Sequence, residues 1–379
     1  MKITVAIDSF KGSLSTLEAG EAVAEGILRT DPSARLAVCP IADGGEGTAE
    51  AITAANGGRF CTVTVSDPLS RPIRASYGII EARKTAVIEM AAAAGLPLLR
   101  EEERDPMLTT TYGVGEMIAD AIGKGCRRFI VGIGGSATND GGVGMLQALG
   151  FAFLDAEGRE IPRGTRGLES LASIDCSRAN PALGECSFLV ACDVDNPLCG
   201  ARGCSAVYAP QKGADAHTVE VSDHLLARYA RLTQAVLPNA DPEYPGAGAA
   251  GGMGFALLSY LGATLQSGIE LVMNETGLER EIADADLVIT GEGRLDAQSC
   301  MGKAPVGVAR LAKRHGKPVI ALAGCVTEGA RACNEHGIDA YFAILQAPCT
   351  LAEAMEGERA RQNLTNTAEQ AFRLFCTRA

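Results

Sequence analysis

The opening residues set the frame for the whole chain. Ile3-Thr4-Val5-Ala6-Ile7 reads as a buried strand that stops at Asp8, in a loop reaching Ser15. From Leu17 to Arg29 the apolar or small residues Ala19, Ala22, Val23, Gly26 and Ile27 recur at helical spacing. The same order returns at once: Arg35 to Ile41 predicts a strand ending in Ala42-Asp43-Gly44-Gly45-Glu46-Gly47-Thr48, before a second helical segment. Strand, loop and helix in repetition is the grammar of a parallel α/β sheet. It comes back near the C-terminus, where Leu287–Thr290, Val319–Ala323 and Tyr341–Leu345 predict buried strands. Helices are expected there over Pro305–Arg314, Ala330–His336 and Glu353–Phe375.

The middle of the chain follows other rules. Short alternating stretches from Phe60 to Met90, split at Asp67-Pro68 and Arg83-Lys84, predict an antiparallel meander. A helix over Leu108–Lys124, strands at Arg128–Ile133 and Phe188–Cys192, a long polar helix over Ala216–Val236 and a Gly-rich helix start in Ala247–Leu261 complete it. The expected fold is α/β with two domains and the active site in the cleft between them. A Rossmann-like parallel-sheet domain is built from both chain ends (1–66 and 285–379), and an inserted α/β domain with a mixed sheet takes 67–284.

Composition narrows the function. A chain of 379 residues exceeds one ordinary core, and 47% hydrophobic with 21% charged residues is a globular balance. Net charge −12, 4% aromatic residues and no Trp argue against a nucleic-acid partner. The longest apolar run, Ala86 to Leu99, is broken by Glu89 and Pro97, so neither a membrane span nor a signal segment is expected. Thirteen cysteines, an odd number without Cys-x-x-Cys, read as scattered small hydrophobes in a reducing, cytoplasmic setting. The 45 glycines exceed the roughly 7% usual in globular chains, which points to many tight loops.

Those loops carry the chemistry. Asp8-Ser9-Phe10-Lys11-Gly12-Ser13 should lie at the carboxyl edge of the sheet, where open α/β folds bind ligands, with Lys11 as a point charge for an anion. Asp43 and Glu46 share a glycine loop at the same edge, suited to a cation or a hydroxyl. Thr290-Gly291-Glu292-Gly293-Arg294-Leu295-Asp296, followed by Lys303, ends a strand and would face both loops. Gly134 to Gly142 resembles an amide nest for an anion, with Ser136, Thr138 and Asn139 as further donors. Gly132-x-Gly134-x-x-Ala137 also matches a dinucleotide fingerprint, with Asp155 where its ribose acid would fall. Asp193 sits in a stiff turn before Pro197, and Lys212 in Pro210-Gln211-Lys212-Gly213. No Gly-x-x-x-x-Gly-Lys-Ser/Thr occurs, which excludes a P-loop. His217, His224, His315 and His336 all fall in polar helical stretches, so no His base is at hand. Carboxylate and lysine chemistry on an anionic substrate is left, which is what phosphoryl transfer needs.

These loops, together with Ala191-Cys192-Asp193-Val194-x-Asn196-Pro197-Leu198, Pro210 to Ala214, Gly246 to Gly254, and Asp296, Gln298, Gly302 and Lys303, run in family order along nearly the whole chain. The sequence resembles the bacterial class I glycerate kinases. Ile7 stands where many members have Pro, and Ser299 where Thr is common. The resemblance implies a two-domain enzyme that uses ATP and Mg²⁺ to phosphorylate glycerate, commonly at the 2-position. On that reading Asp8, Ser9, Lys11, Asp43, Lys212 and Arg294 contact glycerate. The nucleotide meets Gly134, Gly135, Ser136, Ala137, Thr138, Asn139, Asp140 and Gly141. Asp193 or Asp296, with Lys11, carries the catalysis, and Asp193 and Glu292 meet the metal. A nicotinamide-dependent dehydrogenase of a small hydroxy acid and a non-catalytic sugar-acid binding protein are the alternatives; oligomeric state stays open.

Overall fold

The computed structural model describes residues 1–301 and 303–377; Gly302 lies outside them. From the N-terminus, β1 (Lys2–Ile7) and β2 (Arg35–Val38) are followed by β3 (Arg59–Ser66), β4 (Pro72–Ile80), β5 (Thr85–Glu89) and β6 (Arg128–Gly132). A small ribbon of β7 (Ala152–Leu154) and β8 (Ser173–Asp175) precedes β9 (Ser187–Ala191) and β10 (Thr264–Gln266). The chain ends with β11 (Leu287–Leu295), β12 (Val319–Val326) and β13 (Ala340–Ala343).

Two compact units divide these elements. The first takes residues 1–43, 50–56 and Ile269 onward; the second takes 44–49 and 57–268. The boundaries thus fall near 56/57 and 268/269 rather than at 66/67 and 284/285. β3 belongs to the second unit because it pairs along its whole length with β4, from Arg59↔Ile79 to Ser66↔Pro72. Residues 269–284 belong to the first, where the Thr4 hydroxyl donates to Glu281 O at 2.9 Å and Asn56 Nδ2 to Glu275 O at 2.9 Å.

The first unit is one parallel sheet in the order β13-β12-β11-β1-β2. Its strand order reverses between β1 and β11, the position at which doubly wound sheets open a crevice for ligands. Alternate residues feed opposite faces, so both must be covered. Ile3, Val5, Ile7, Leu287, Ile289, Ile320 and Leu322 pack into one core with Val23 and Ile27 of the helix Thr16–Thr30 and Leu364 and Phe372 of Gly357–Cys376. Each such aliphatic side chain contributes roughly 1.5–3 kcal/mol by leaving water. Ser15 starts the first helix through a capping box with Glu18, fixing where the Asp8–Ser13 loop must end.

β11 runs five residues beyond Thr290, where a loop was expected. Its partner β12 is nearly as long, eight residues against nine, and Arg294↔Cys325 and Leu295↔Val326 extend the ladder. β1 stops opposite Gly291, and the Asp8 amide closes that side by donating to Gly291 O at 2.9 Å. Glu292 onward therefore has a strand on one side only, with its other edge turned to the Asp8 loop.

The second unit holds a six-stranded mixed sheet, β10-β9-β6-β5-β4-β3, in which β3, β4 and β5 form the expected antiparallel meander and the rest are parallel. The 134–142 loop leaves the end of β6. Among the described residues no helix is long and apolar enough to cross a membrane.

Candidate active site

A cavity of about 680 Å³ opens at the carboxyl edge of the first unit's sheet, and every residue lining it belongs to that unit. Asp8, Ser9, Lys11 and Ser13 come from the loop after β1; Glu292, Arg294 and Asp296 from the far end of β11 and just beyond; Asp43 from the segment after β2; Lys303 from the start of the helix Ala304–Arg314. The sheet thus brings together the Asp8, Asp43 and Glu292 segments that the sequence assigned to one edge.

Asp8 is 4% exposed, and its Oδ1 accepts the Ser9 amide at 2.6 Å. Burial first, and then the negative charge of Asp43, push its carboxyl up to about 7, against the opposing pull of the Ser9 amide and Lys11. Glu292 is likewise raised by burial, although the Ser299 hydroxyl donates to its Oε1 and Lys303 lies nearby. Asp296 behaves oppositely. Burial raises it, but Arg294 Nε at 3.0 Å and the amides of Gln298 at 2.8 Å and Ser299 at 3.2 Å outweigh that and hold it below the ordinary carboxylate range. The hydroxyls of Ser9 and Ser13 are buried with no hydrogen-bond partner among the described residues, which leaves two donors for a ligand.

The 134–142 loop is built differently from a free nest. The Ala137 amide donates to Ala94 O at 2.8 Å and the Gly141 amide to Gly251 O at 2.9 Å, so neither is available to an anion. Asp140 is fully buried and faces inward, accepting the amides of Thr111 at 2.8 Å, Gly142 at 3.1 Å and Gly144 at 3.2 Å, together with the Thr111 hydroxyl. It is an internal clamp. Lys212 is equally buried, donating to Ser136 Oγ at 2.8 Å and Thr138 O at 2.6 Å, and burial pushes its ammonium down to about 8. That placement is inside the loop's support, whereas the sequence reading puts it in contact with glycerate. Asn139 Nδ2 donates to Ser205 Oγ at 2.9 Å, while Asn139 Oδ1 and Thr138 Oγ1 are buried without a partner among the described residues. Gly134 and Gly135 are exposed at the mouth of the loop. A Cβ on Gly251 would lie 2.1 Å from Thr138 O, so the 246–254 glycines serve close packing against this loop.

Asp193 is exposed after β9, its Oδ1 accepting the Gly268 amide at 3.0 Å. The dinucleotide reading loses its acid: Asp155 Oδ1 is taken by the amides of Glu157 and Arg159, and its Oδ2 by the Arg159 guanidinium at 3.0 Å. The cavity's outer wall went unnoticed in the sequence. Ile344, Leu345, Leu351 and Met355 line it, beyond β13. The available signal was their place past a parallel strand, at the same edge as Asp8. The helix expected over 353–375 is in fact two, Leu351–Ala354 capped by Thr350 and Gly357–Cys376, and the break between them shapes this wall.

A doubly wound sheet that gathers buried carboxylates, unpartnered hydroxyls and lysines at its switch point, in a chain without a P-loop, defines an enzyme of anionic small substrates. The chain belongs to the glycerate kinase family, whose model matches residues 3–376. It is 48% identical to glycerate 2-kinase of Escherichia coli K12 over 97% of this chain and 98% of that one. It is also 48% identical to glycerate kinase of Bacillus subtilis 168, over 94% and 93%. A crystal structure from Salmonella typhimurium LT2, provisionally assigned as glycerate kinase 2, superposes with a TM-score of 0.91 at 47% identity, covering 100% of this chain and 98% of that one.

Proposed function

We propose that this protein transfers the γ-phosphoryl group of ATP to a hydroxyl of glycerate, giving 2-phosphoglycerate and ADP. Family membership and the activities named for its relatives support the substrate. The observation that carries the chemistry is the buried Asp8 carboxyl, raised to about 7 at the switch point of the sheet. A base poised near neutrality is efficient at taking a proton from a hydroxyl. Glycerate's carboxylate pairs with Lys11, and the unpartnered Ser9 and Ser13 hydroxyls donate to its oxygens. As the glycerate oxygen bonds to phosphorus and the bond to ADP breaks, its proton passes to Asp8.

This assignment moves the base away from Asp296 and Asp193. Asp296 is bound up with Arg294 and two amides, and a carboxylate held low is a weak base. Mg²⁺ fits the remaining groups in a limited way. Among the described residues no cluster of three or more His, Cys, Asp or Glu side chains could hold a metal. Mg²⁺ commonly takes only one or two carboxylates, completing its shell with water and phosphate oxygens. Asp43 and Glu292, whose charges act on one another, are the pair we assign, and the ion would neutralise phosphate charge.

The test is ADP release with ATP, Mg²⁺ and a panel of small hydroxy acids, followed by NMR of the product. Glycerate should be the preferred acceptor and the phosphorus should couple to the C2 proton. Absence of glycerate-dependent ADP release would overturn the reading. Lys11→Ala should raise the glycerate KM by about ten- to hundredfold, since a charge-assisted contact contributes about 1.5–3 kcal/mol.

A further inference from the structure

The cavity is too large and too apolar for glycerate alone. Its volume of about 680 Å³ lies in the range of sites for much larger ligands. Its polarity is also graded along the sheet edge. Asp8, Lys11, Glu292 and Lys303 occupy the end near β1 and β11, whereas Ile344, Leu345, Leu351 and Met355 form the wall beyond β13. Leu345, Leu351 and Met355 are 39%, 76% and 39% exposed, so three of the chain's exposed large apolar side chains converge on one cavity. A concentration of that kind marks a binding surface. The wall is continuous with the charged loop, because Met355 Cε packs over Gly12 where a Cβ would lie only 2.8 Å away.

From this gradient we infer that the apolar wall of Leu345, Leu351 and Met355 is the subsite for the purine base of the nucleotide, with the phosphates directed toward Lys303. The inference rests on the kinase reading, which supplies a ligand with a flat apolar head and a polyanionic tail. It places the base in the first unit, a role the sequence had given to no residue there. The base would cover leucine and methionine surface that otherwise stays in water, and burial of such surface is favourable in proportion to its area.

Calorimetric titration of the full-length protein with Mg-ADP and, separately, with Mg-tripolyphosphate tests the subsite. Tripolyphosphate carries the charge without the base. Leu351→Asn should weaken ADP at least tenfold while changing tripolyphosphate binding less than twofold, and Met355→Gln should act in the same direction. Leu351 is so exposed that its replacement leaves the core intact, which a thermal melt verifies. Unchanged ADP affinity in both variants, or equal losses for ADP and tripolyphosphate, would overturn the subsite and leave the kinase reading standing. Wild-type protein that binds neither ligand would overturn both.

Discussion

The charge of Asp43 reaches Asp8 at the carboxyl edge of the parallel sheet and, second only to burial, keeps that carboxyl protonated up to about pH 7. Two acids from the ends of adjacent strands are thereby given different work, since one resists ionisation and the other supplies the field that makes it resist.

The rate should follow this titration. Between pH 5 and 8, kcat/KM for glycerate should rise with an apparent pKa at or below about 7, because only the ionised Asp8 accepts the hydroxyl proton and Mg²⁺ on Asp43 offsets part of the charge that raises it. Asp8→Asn should lower kcat by about 10²–10⁴ and flatten that limb. A steady-state pH profile of both proteins measures this. A profile unchanged in shape, or a larger loss in Asp193→Asn, would return the base to the second unit.

Stability carries the same signature with a sign that can be worked out. Asp8 releases its proton near 3.8 when unfolded but near 7 when folded, so between those values the folded state binds the extra proton. Stability is then lost as pH rises through this window and levels off above it. Asp8→Asn removes the titration, so the variant's Tm relative to wild type should climb from pH 4 to pH 8. Melting curves at several pH values decide it, and a constant difference would contradict the buried placement.

Lys212 should behave as a structural lysine. Lys212→Met keeps the apolar stem but deprives Ser136 Oγ and Thr138 O of their donor, at a cost of about 1.5–3 kcal/mol for each lost charged hydrogen bond. The expected outcome is a lower Tm and faster proteolysis within 134–142. A stable variant with only a raised glycerate KM would put Lys212 back in contact with substrate.

Gly135 has φ +72°, a conformation that costs an L-residue roughly 1–2 kcal/mol. Its Cβ would meet nothing closer than Ala91 Cβ at 3.5 Å, so space is not the obstacle. Gly135→Val should distort the mouth of the loop while the fold survives, and with the nucleotide seated in the first unit the affinity for Mg-ADP should stay native. Titration beside circular dichroism reads both, and weakened affinity in a folded variant would return the loop to the nucleotide site.

Much of the frame was legible in the residues because it depends on local periodicity. Ala19, Ala22, Val23, Gly26 and Ile27 do face the core, and Ala216–Val236 is one helix over the expected span. Asp8 at a strand's end was legible for the same reason. What escaped depends on partners distant in sequence. β11 passes Thr290 only because β12 is long enough to pair with it, and nothing local to Gly291-Glu292-Gly293 records that. Asp140 and Lys212 stand in polar, glycine-bearing stretches that look solvent-facing, yet both side chains turn inward to hold the loop. Met355 fell inside the single helix expected over 353–375 and Leu351 just outside it, and neither was singled out; the break at Met355–Glu356 sets both beside the cavity.

The register that joins Ile3 to Leu287 has a consequence for synthesis. Partners in this pair are 284 residues apart, so β1 leaves the ribosome long before the strand that completes it exists. The sheet of the second unit finds all its strands within 57–268 and can form while the C-terminal third is still being translated. The N-terminal strand, buried on both faces in the finished fold and apolar along Ile3, Val5 and Ile7, must wait through that interval paired with little more than β2. Until then its Ile3, Val5 and Ile7 face is a surface for a chaperone to cover.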